Sequence, residues 1–490
     1  MKLKNAIKLI EVRKIIASFI VLFALNCCVG FWLANKHNCI SDETNDSFWS
    51  VHSGDTFSYL QGAENFFLEG EYYSEHEGKK SSASRPPHYG IPYIVFRSFA
   101  SPSNSFDLLI LYQLVFVTIA MILIGIIASS INSLKLSYYL TLLISFLFFH
   151  YTFSAIQLVP ESLASSMLVI SVFFFIYYLD NKSITMLLLS GFFLSYAVVL
   201  RPYLGIIYPV VGFYFLPKNF SLTLKSLQGS LISTSVFSIG LIILLSPWVI
   251  RNYQVYDRFV PFQEDFYAGY HINDSYLAMI DFVNCWGSST YFWQEGQAGT
   301  FFIDSHNYDY TFPDYAFTSK YNLEDLKSLK TKYNDAVGNN DLALDKEVAD
   351  EFKYYTAVYK KERPFIYYFY SRLMFIKEFV LPHKYGPYLP FNEFASNCPN
   401  KYDKYLFLSQ GLLYFAVIIT GFIGCFYYFF KRKYIFILGI IFVTFCFFPI
   451  IYKSSMHKYF VHLYPYLLIG SSLFISKFIF FIKNKVKILI

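Results

Sequence analysis

The chain has 490 residues, 55% hydrophobic and 21% aromatic, with only 15% charged, against about 25% charged in ordinary soluble domains. Mean hydropathy is +0.39, and several apolar runs approach or exceed the roughly 20 residues that cross a bilayer as a helix, which excludes a soluble enzyme built on one large core. The formal net charge of +6 implies no nucleic-acid partner, because Lys and Arg sit in short connectors and at the two ends, as in a polytopic membrane protein surrounded by lipid.

The N-terminus carries Lys2, Lys4, Lys8, Arg13 and Lys14 before an apolar run from Ile15 to about Leu33. That run is too long for a signal-peptide core and lacks a small-x-small cleavage site, so it reads as an uncleaved first helix. A polar loop over 35–105 follows. Further apolar segments cover 106–131, 136–153, a stretch from Ser162 to about Leu179, then 184–200, 204–216, 230–250, 406–430, 434–452 and 459–481. The expectation is an all-α polytopic fold of about ten transmembrane helices. It divides into an N-terminal membrane module over 1–252, a water-compatible insertion of mixed structure over 253–405, and C-terminal helices over 406–490. The end of the insertion, Arg363 to Pro382, alternates aromatics with Arg372, Lys377 and Glu378, the pattern of an interfacial helix.

Seven cysteines are present. Cys27, Cys28, Cys425 and Cys446 fall in apolar segments and read as packing residues. Cys39, Cys285 and Cys398 fall outside them, and their pairing is left open. There is no CxxC or HExxH spacing to indicate a structural zinc site.

With the N-terminus in the cytoplasm, the connectors at Lys135, Lys182, Lys218/Lys225 and Lys431–Lys433 all fall inside, in agreement with the positive-inside rule. The same count places Asp55, Arg85, Glu161, Arg201, Arg251 and the insertion together outside. Charges beside lipid are expensive and tend to be functional. The competing readings are a helix cap for Asp55, an N-terminal-turn charge for Glu161 after Pro160, and snorkelling to headgroups for Arg201 and Arg251. Asp55 precedes an apolar pattern at helical spacing (Phe57, Tyr59, Leu60, Ala63, Phe66, Phe67), so it falls at an N-cap. There the helix dipole would keep its carboxylate ionised, and capping and catalysis are compatible.

Transfer of a sugar from a polyprenyl phosphate needs this set of groups. A carboxylate takes the acceptor's proton, which suits Asp55. Cations hold the phosphate as it leaves, which suits Arg85, Arg201 and Arg251, since a guanidinium binds phosphate oxygens through two bonds at once. Glu161 is a second carboxylate for acceptor, sugar or a divalent metal; no other cofactor is implied. No alternation of strand and helix for a nucleotide-sugar fold is present, and no nucleotide-binding glycine motif appears. Tyr267, Tyr270, Trp286, Tyr291 and Trp293 of the insertion are open to sugar stacking or, equally, to an aromatic belt or a small core.

The order of features resembles the GT-C superfamily of membrane glycosyltransferases, in the branch of bacterial relatives of protein O-mannosyltransferases and lipid A aminoarabinose transferases. The resemblance is carried by Gly54-Asp55 with Tyr59 and Ala63, Gly70-Glu71-Tyr72-Tyr73, and Arg85-Pro86-Pro87-His88-Tyr89-Gly90. It continues in Gly191 through Leu200-Arg201-Pro202, Pro247-Trp248-Val249-Ile250-Arg251-Asn252-Tyr253, and Lys458-Tyr459 with Pro465. It implies a catalytic Asp in the first outer loop (Asp55), a basic residue before that loop's prolines meeting donor phosphate (Arg85), and an acidic residue in the second outer loop (Glu161). Tyr59 and His88 join the substrate-binding candidates. It further implies an inverting transfer at the outer face of a bacterial inner membrane, with a glycolipid, polysaccharide or protein as acceptor. Two departures stand out: Asp55 has no acidic neighbour, and the second outer loop is short. The rival readings are a polymerase or ligase of lipid-linked glycans, disfavoured by an acidic loop so near the N-terminus, and a flippase, which would carry mid-helix charges and broken helices in matched halves.

Overall fold

The computed structural model describes residues 2–41, 49–52, 55–76, 79–215, 224–263, 266–267, 270–271, 274–286, 301–303, 311–339, 341–381, 401–430, 434–451 and 457–489. It is 85% helical. Two compact units emerge: Met1–Glu264 with Pro387–Val443 and Val461–Ile490, and Asp265–Gly386 with Thr444–Phe460.

In the first unit a short helix α1 (Leu3–Ile10) precedes α2 (Val12–Ser41). After the first loop, with its helices α3 (Thr56–Glu69) and α4 (Gly90–Arg97), comes α5 (Pro102–Asn132). Ser101 caps α5 by accepting from the Asn104 N–H at 3.4 Å, and Pro102 supplies a first-turn residue with no N–H to satisfy. Helices α6 (Lys135–Leu147) and α7 (Phe149–Ile156) follow, bent 57° apart. Next are α8 (Glu161–Asn181), α9 (Ile184–Leu200), α10 (Ile207–Phe215) and α11 (Leu224–Tyr256).

The number of spans differs from the expected ten. Among the described residues six helices are long and apolar enough to cross a membrane, and the bent α6–α7 pair makes a seventh if counted as one span. Each remaining expected segment is helical, but Ile184–Leu200, Pro202–Phe215 and Ile435–Ile451 fall in the 10–17-residue class. At 1.5 Å per residue such helices extend at most about 25 Å, short of the roughly 30 Å hydrocarbon core.

Between α7 and α8, Gln157 to Pro160 is non-helical and buried. Backbone in that situation must find partners inside the protein. Gln113, buried in α5, donates to the carbonyls of Ala155 at 3.1 Å and Gln157 at 2.9 Å. Val51 of the first loop pairs here as an isolated parallel bridge, donating to Ile156 at 2.9 Å and accepting from Leu158 at 3.1 Å. The first loop is thereby stitched to the start of α8.

The opposite end of α8 is fixed separately. The Leu3 N–H donates to Asp180 at 2.7 Å, and Glu11 lies 3.8 Å from Lys135. The N-terminal segment, the Lys135 turn and the Asp180 connector therefore share one end of the bundle, and Glu161 with Arg201 the other.

The second unit is a helical insertion around a buried aromatic core. Helix α12 (Asp274–Val283) packs with Leu323–Asn339 and Leu342–Glu362 through Phe282, Trp286, Phe302, Phe352 and Tyr359. The expected mixture of structure reduces, among the described residues, to a two-residue hairpin, Phe266–Tyr267 with Tyr270–His271. Trp286, one of the sugar-stacking candidates, is a core residue at 2% exposure, T-shaped against Phe282 at 4.4 Å. The side chains of Tyr267 and Tyr270 lie outside the described residues, as do Tyr291 and Trp293. Cys285 donates to the Asp281 carbonyl at 3.4 Å; the side chains of Cys39 and Cys398 lie outside the described residues.

Helices α9 and α11 touch backbone to backbone. A Cβ on Gly191 would lie 1.8 Å from the Phe237 carbonyl oxygen, whereas one on Gly212 would meet nothing within 4 Å. Small residues at such crossings provide the packing that lipid cannot drive. Gly191→Val is therefore expected to abolish a monodisperse species in detergent or to lower its melting temperature by about 3 degrees or more, the effect of about 3 kcal/mol of overpacking. Gly212→Ala should melt as wild type; equal behaviour of the two variants would contradict the crossing.

Candidate active site

The first loop builds one wall. Asp55 occupies the N-cap position of α3 as expected, but with φ −85° and ψ −17° it is already helical, and its side chain makes no capping bond. This corrects the expectation that first-turn N–H groups hold the carboxylate. Ser58 instead donates its hydroxyl to the Asp55 carbonyl at 2.8 Å. Gly70 ends α3 in the left-handed region, φ +78°. A clamp then joins α3 to α4: Arg97 donates to both oxygens of Glu64, at 2.8 and 2.9 Å, and the Tyr93 hydroxyl adds a third bond at 2.8 Å. Between these helices Arg85 precedes the extended Pro86 and the turn Pro87–Tyr89.

The centre of the arrangement is Tyr59, one turn into α3 and 5% exposed. The Arg85 guanidinium lies over its ring at 4.4 Å, and that of Arg201 at 4.8 Å. Arg201 also donates to the Tyr59 hydroxyl oxygen and forms an ion pair with Glu161. Glu161 is the first residue of α8 and Arg201 immediately follows α9, so the pair joins two helix ends at the stitched loop. Glu161 is 1% exposed and Arg201 4%. The Tyr89 ring meets Tyr59 edge-on at 5.9 Å. Burial pushes the Tyr59 hydroxyl up, with Arg201 and Arg85 opposing; Asp55 is near enough to add to the rise. Tyr59 accordingly stays protonated at neutral pH.

Three atoms of this cluster make no hydrogen bond among the described residues: Glu161 Oε2, Arg201 Nε and the Tyr89 hydroxyl. Buried polar atoms are seldom left so. An acceptor, a donor and a hydroxyl side by side suit a ligand that offers hydroxyl groups.

Two candidates are committed to the scaffold. Arg251 donates to the carbonyls of Ser82 and Tyr72, the latter at 2.8 Å, and to the Asn252 side chain at 3.0 Å, stacking over Trp248 at 5.3 Å. It ties α11 to the first loop, and Tyr72 passes the link on by donating to the Arg85 carbonyl at 3.1 Å. His88 turns its Nε2 to the Leu244 carbonyl at 3.0 Å; because a carbonyl only accepts, that nitrogen carries the proton. Burial holds His88 below its usual range, so it is neutral at pH 7. The structure thus brings together Tyr59, Arg85, Glu161 and Arg201, with Asp55 close by, and places Arg251 and His88 as braces of the same loop.

Sequence reasoning missed Tyr203 and His462. Tyr203 bonds His462 Nε2 at 2.9 Å, and its ring lies 6.0 Å from the Arg201 guanidinium. A signal existed in Tyr203, which directly follows Arg201-Pro202, but none identified His462 as its partner. Gln113 was missed because a lone polar residue in an apolar helix names no partner. Among the described residues no group of three or more His, Cys, Asp or Glu is placed to hold a metal. No family model, curated protein or solved structure matches the chain.

Two expectations follow. Glu161→Ala strands a buried guanidinium and should cost about 3–5 kcal/mol, whereas Glu161→Leu combined with Arg201→Met should recover most of that; melts in detergent read both, and a harmless Glu161→Ala would show that the pair is not buried. The Arg97 bonds hold the Glu64 carboxyl below its usual 4.5. Its contribution is present above that value and is lost as pH falls through the lower folded value. Wild type should therefore melt higher than Glu64→Gln above pH 4.5, and the gap should close on further acidification. A gap independent of pH would contradict the clamp.

Proposed function

We propose that the protein is an integral-membrane glycosyltransferase that moves a sugar from a polyprenyl phosphate to an acceptor hydroxyl on the extracytoplasmic side. The observation that carries this reading is the convergence, around Tyr59, of two carboxylates and two cations from three stretches: Asp55 and Arg85 of the first loop, Glu161 at the start of α8, and Arg201 after α9. The order of motifs resembling the GT-C superfamily supports it, as does the membrane setting. In this reading the short apolar helices complete a ten-crossing fold where the bilayer thins to meet them, and the active site faces outward from a bacterial inner membrane.

The chemistry divides among these groups. Asp55 accepts the proton of the acceptor hydroxyl as its oxygen attacks the anomeric carbon. The bond from that carbon to the phosphate oxygen breaks, the electron pair leaves with the polyprenyl phosphate, and the anomeric configuration inverts. Arg85 stabilises the departing phosphate charge. Arg201 is neutralised by Glu161, and that carboxylate would repel a phosphate; the pair with Tyr89 instead receives sugar hydroxyls through its three unused hydrogen-bonding atoms. The sugar donor is thus held at both its charged and its neutral ends.

The test is consumption of a panel of polyprenyl-phosphate sugars by protein purified in detergent with native lipids. Wild type should consume one donor, and Asp55→Asn, nearly isosteric, should be at least about a hundredfold slower, the loss of a general base. Equal rates would remove Asp55 from the chemistry. Consumption of no donor, with a lipid-linked sugar crossing proteoliposome membranes instead, would favour a flippase.

A further inference from the structure

The insertion carries a helical stretch that is apolar on two sides. One row, Tyr367, Ser371, Phe375 and Phe379, is buried within the unit. Phe379 stacks on Phe448 at 5.8 Å and meets Phe460 at 5.2 Å. This packs the stretch against the last turn of the apolar helix Ile435–Ile451. A second row should be polar if water covered it. It is Phe365, Phe369, Leu373 and Leu381, at 66, 54, 47 and 37% exposure, interrupted by the exposed Lys377, with Tyr368 beside it at 64%. The π-helical turn Ile366–Tyr370 sets Tyr368 and Phe369 outward in succession.

We propose that this outward row seats in the headgroup–acyl boundary of the leaflet where the helix Ile435–Ile451 ends. Three observations select a bilayer as the occupant. The supporting helix is itself apolar and continues the exposed surface through Ile450 and Ile451, at 40 and 65%. The row is rich in aromatic side chains, which favour the membrane interface. Lys361, Arg363 and Lys377 surround it, all exposed, and cations so placed pair with anionic headgroups. A second copy of the chain would bring these cations against their own kind. The insertion is then held to the membrane along this row, independently of any reaction the first unit performs.

The experiment uses the full chain in liposomes of phosphatidylglycerol, with and without bromine on the acyl chains, comparing Phe369→Trp and Tyr354→Trp after subtraction of wild-type emission. Tyr354 is 53% exposed on the helix Leu342–Glu362. The added emission of Phe369→Trp should be quenched at least twofold by the brominated lipid and be shielded from aqueous iodide, whereas that of Tyr354→Trp should show the reverse. Phe369→Trp emission quenched by iodide alone would overturn the proposal. Shielding from both quenchers would overturn it as well, by showing that protein covers the row.

Discussion

A guanidinium and a carboxylate buried together cost several kcal/mol each in lost hydration, and their attraction does little more than offset this. Net stability is therefore a poor reason for Glu161 and Arg201 to meet. What the pair enforces is register. Glu161 opens α8 and Arg201 follows α9, so the bond forms only when both helix ends reach the same depth and the chain between α7 and α8 is drawn in beside them. That chain is in turn held by Gln113 and by Val51. Slippage of any one of these would strand a buried charge, a larger penalty than most packing defects. The placement of Tyr59, in the middle of the first loop, follows from this interaction.

The first loop is constrained at several points by different means. Val51 fixes its start by backbone pairing, Tyr59 its middle by the bond from Arg201, the Glu64–Arg97 clamp its helical frame, and Arg251 its far side through the carbonyls of Tyr72 and Ser82. A polar loop beside a membrane ordinarily gains little from burial and would move freely. Here the Glu64–Arg97 pair within the loop, and Arg201 and Arg251 from outside it, hold the loop in place. Under the proposed function such rigidity would aid the reaction, because a preorganised dipole or charge need not reorganise as it proceeds.

Much of the architecture was legible because apolar run length is a local property. Each of the ten expected apolar segments is helical; the miscount of full-length spans arose because hydropathy cannot distinguish a helix that crosses from one that stops a turn short, or one that bends at Phe148. The candidate residues were legible as polar groups at helix ends, where charge beside lipid is conspicuous. Their partners were not. Nothing local to Arg251 announces that its bonds go to carbonyls more than a hundred residues away, and nothing local to Asp55 shows that a helical backbone at the cap position forfeits the capping bond. Trp286 illustrates the same limit: an aromatic in a polar stretch reads equally as a stacking platform or a core, and only its burial against Phe282 decides.

The distribution of charge among the four central side chains narrows what the site can accept. Three cations were legible as equivalent phosphate ligands, yet their surroundings make them unlike. Arg251 directs its donors to two backbone carbonyls and the Asn252 side chain, which commits it to the scaffold, and Arg201 is balanced by a carboxylate, which weakens its field toward a phosphate. Arg85 sits over the same ring as Arg201 but belongs to the turn preceding Pro86 and Pro87, on the loop that also carries Asp55. Under the proposed reading, the phosphate of the substrate lies toward Arg85 and its neutral hydroxyls toward the Glu161–Arg201 pair. Under the proposed reading, Tyr59 is where those two environments meet. That explains why a phenol, apolar in its ring and polar at its tip, occupies the position rather than a third charge.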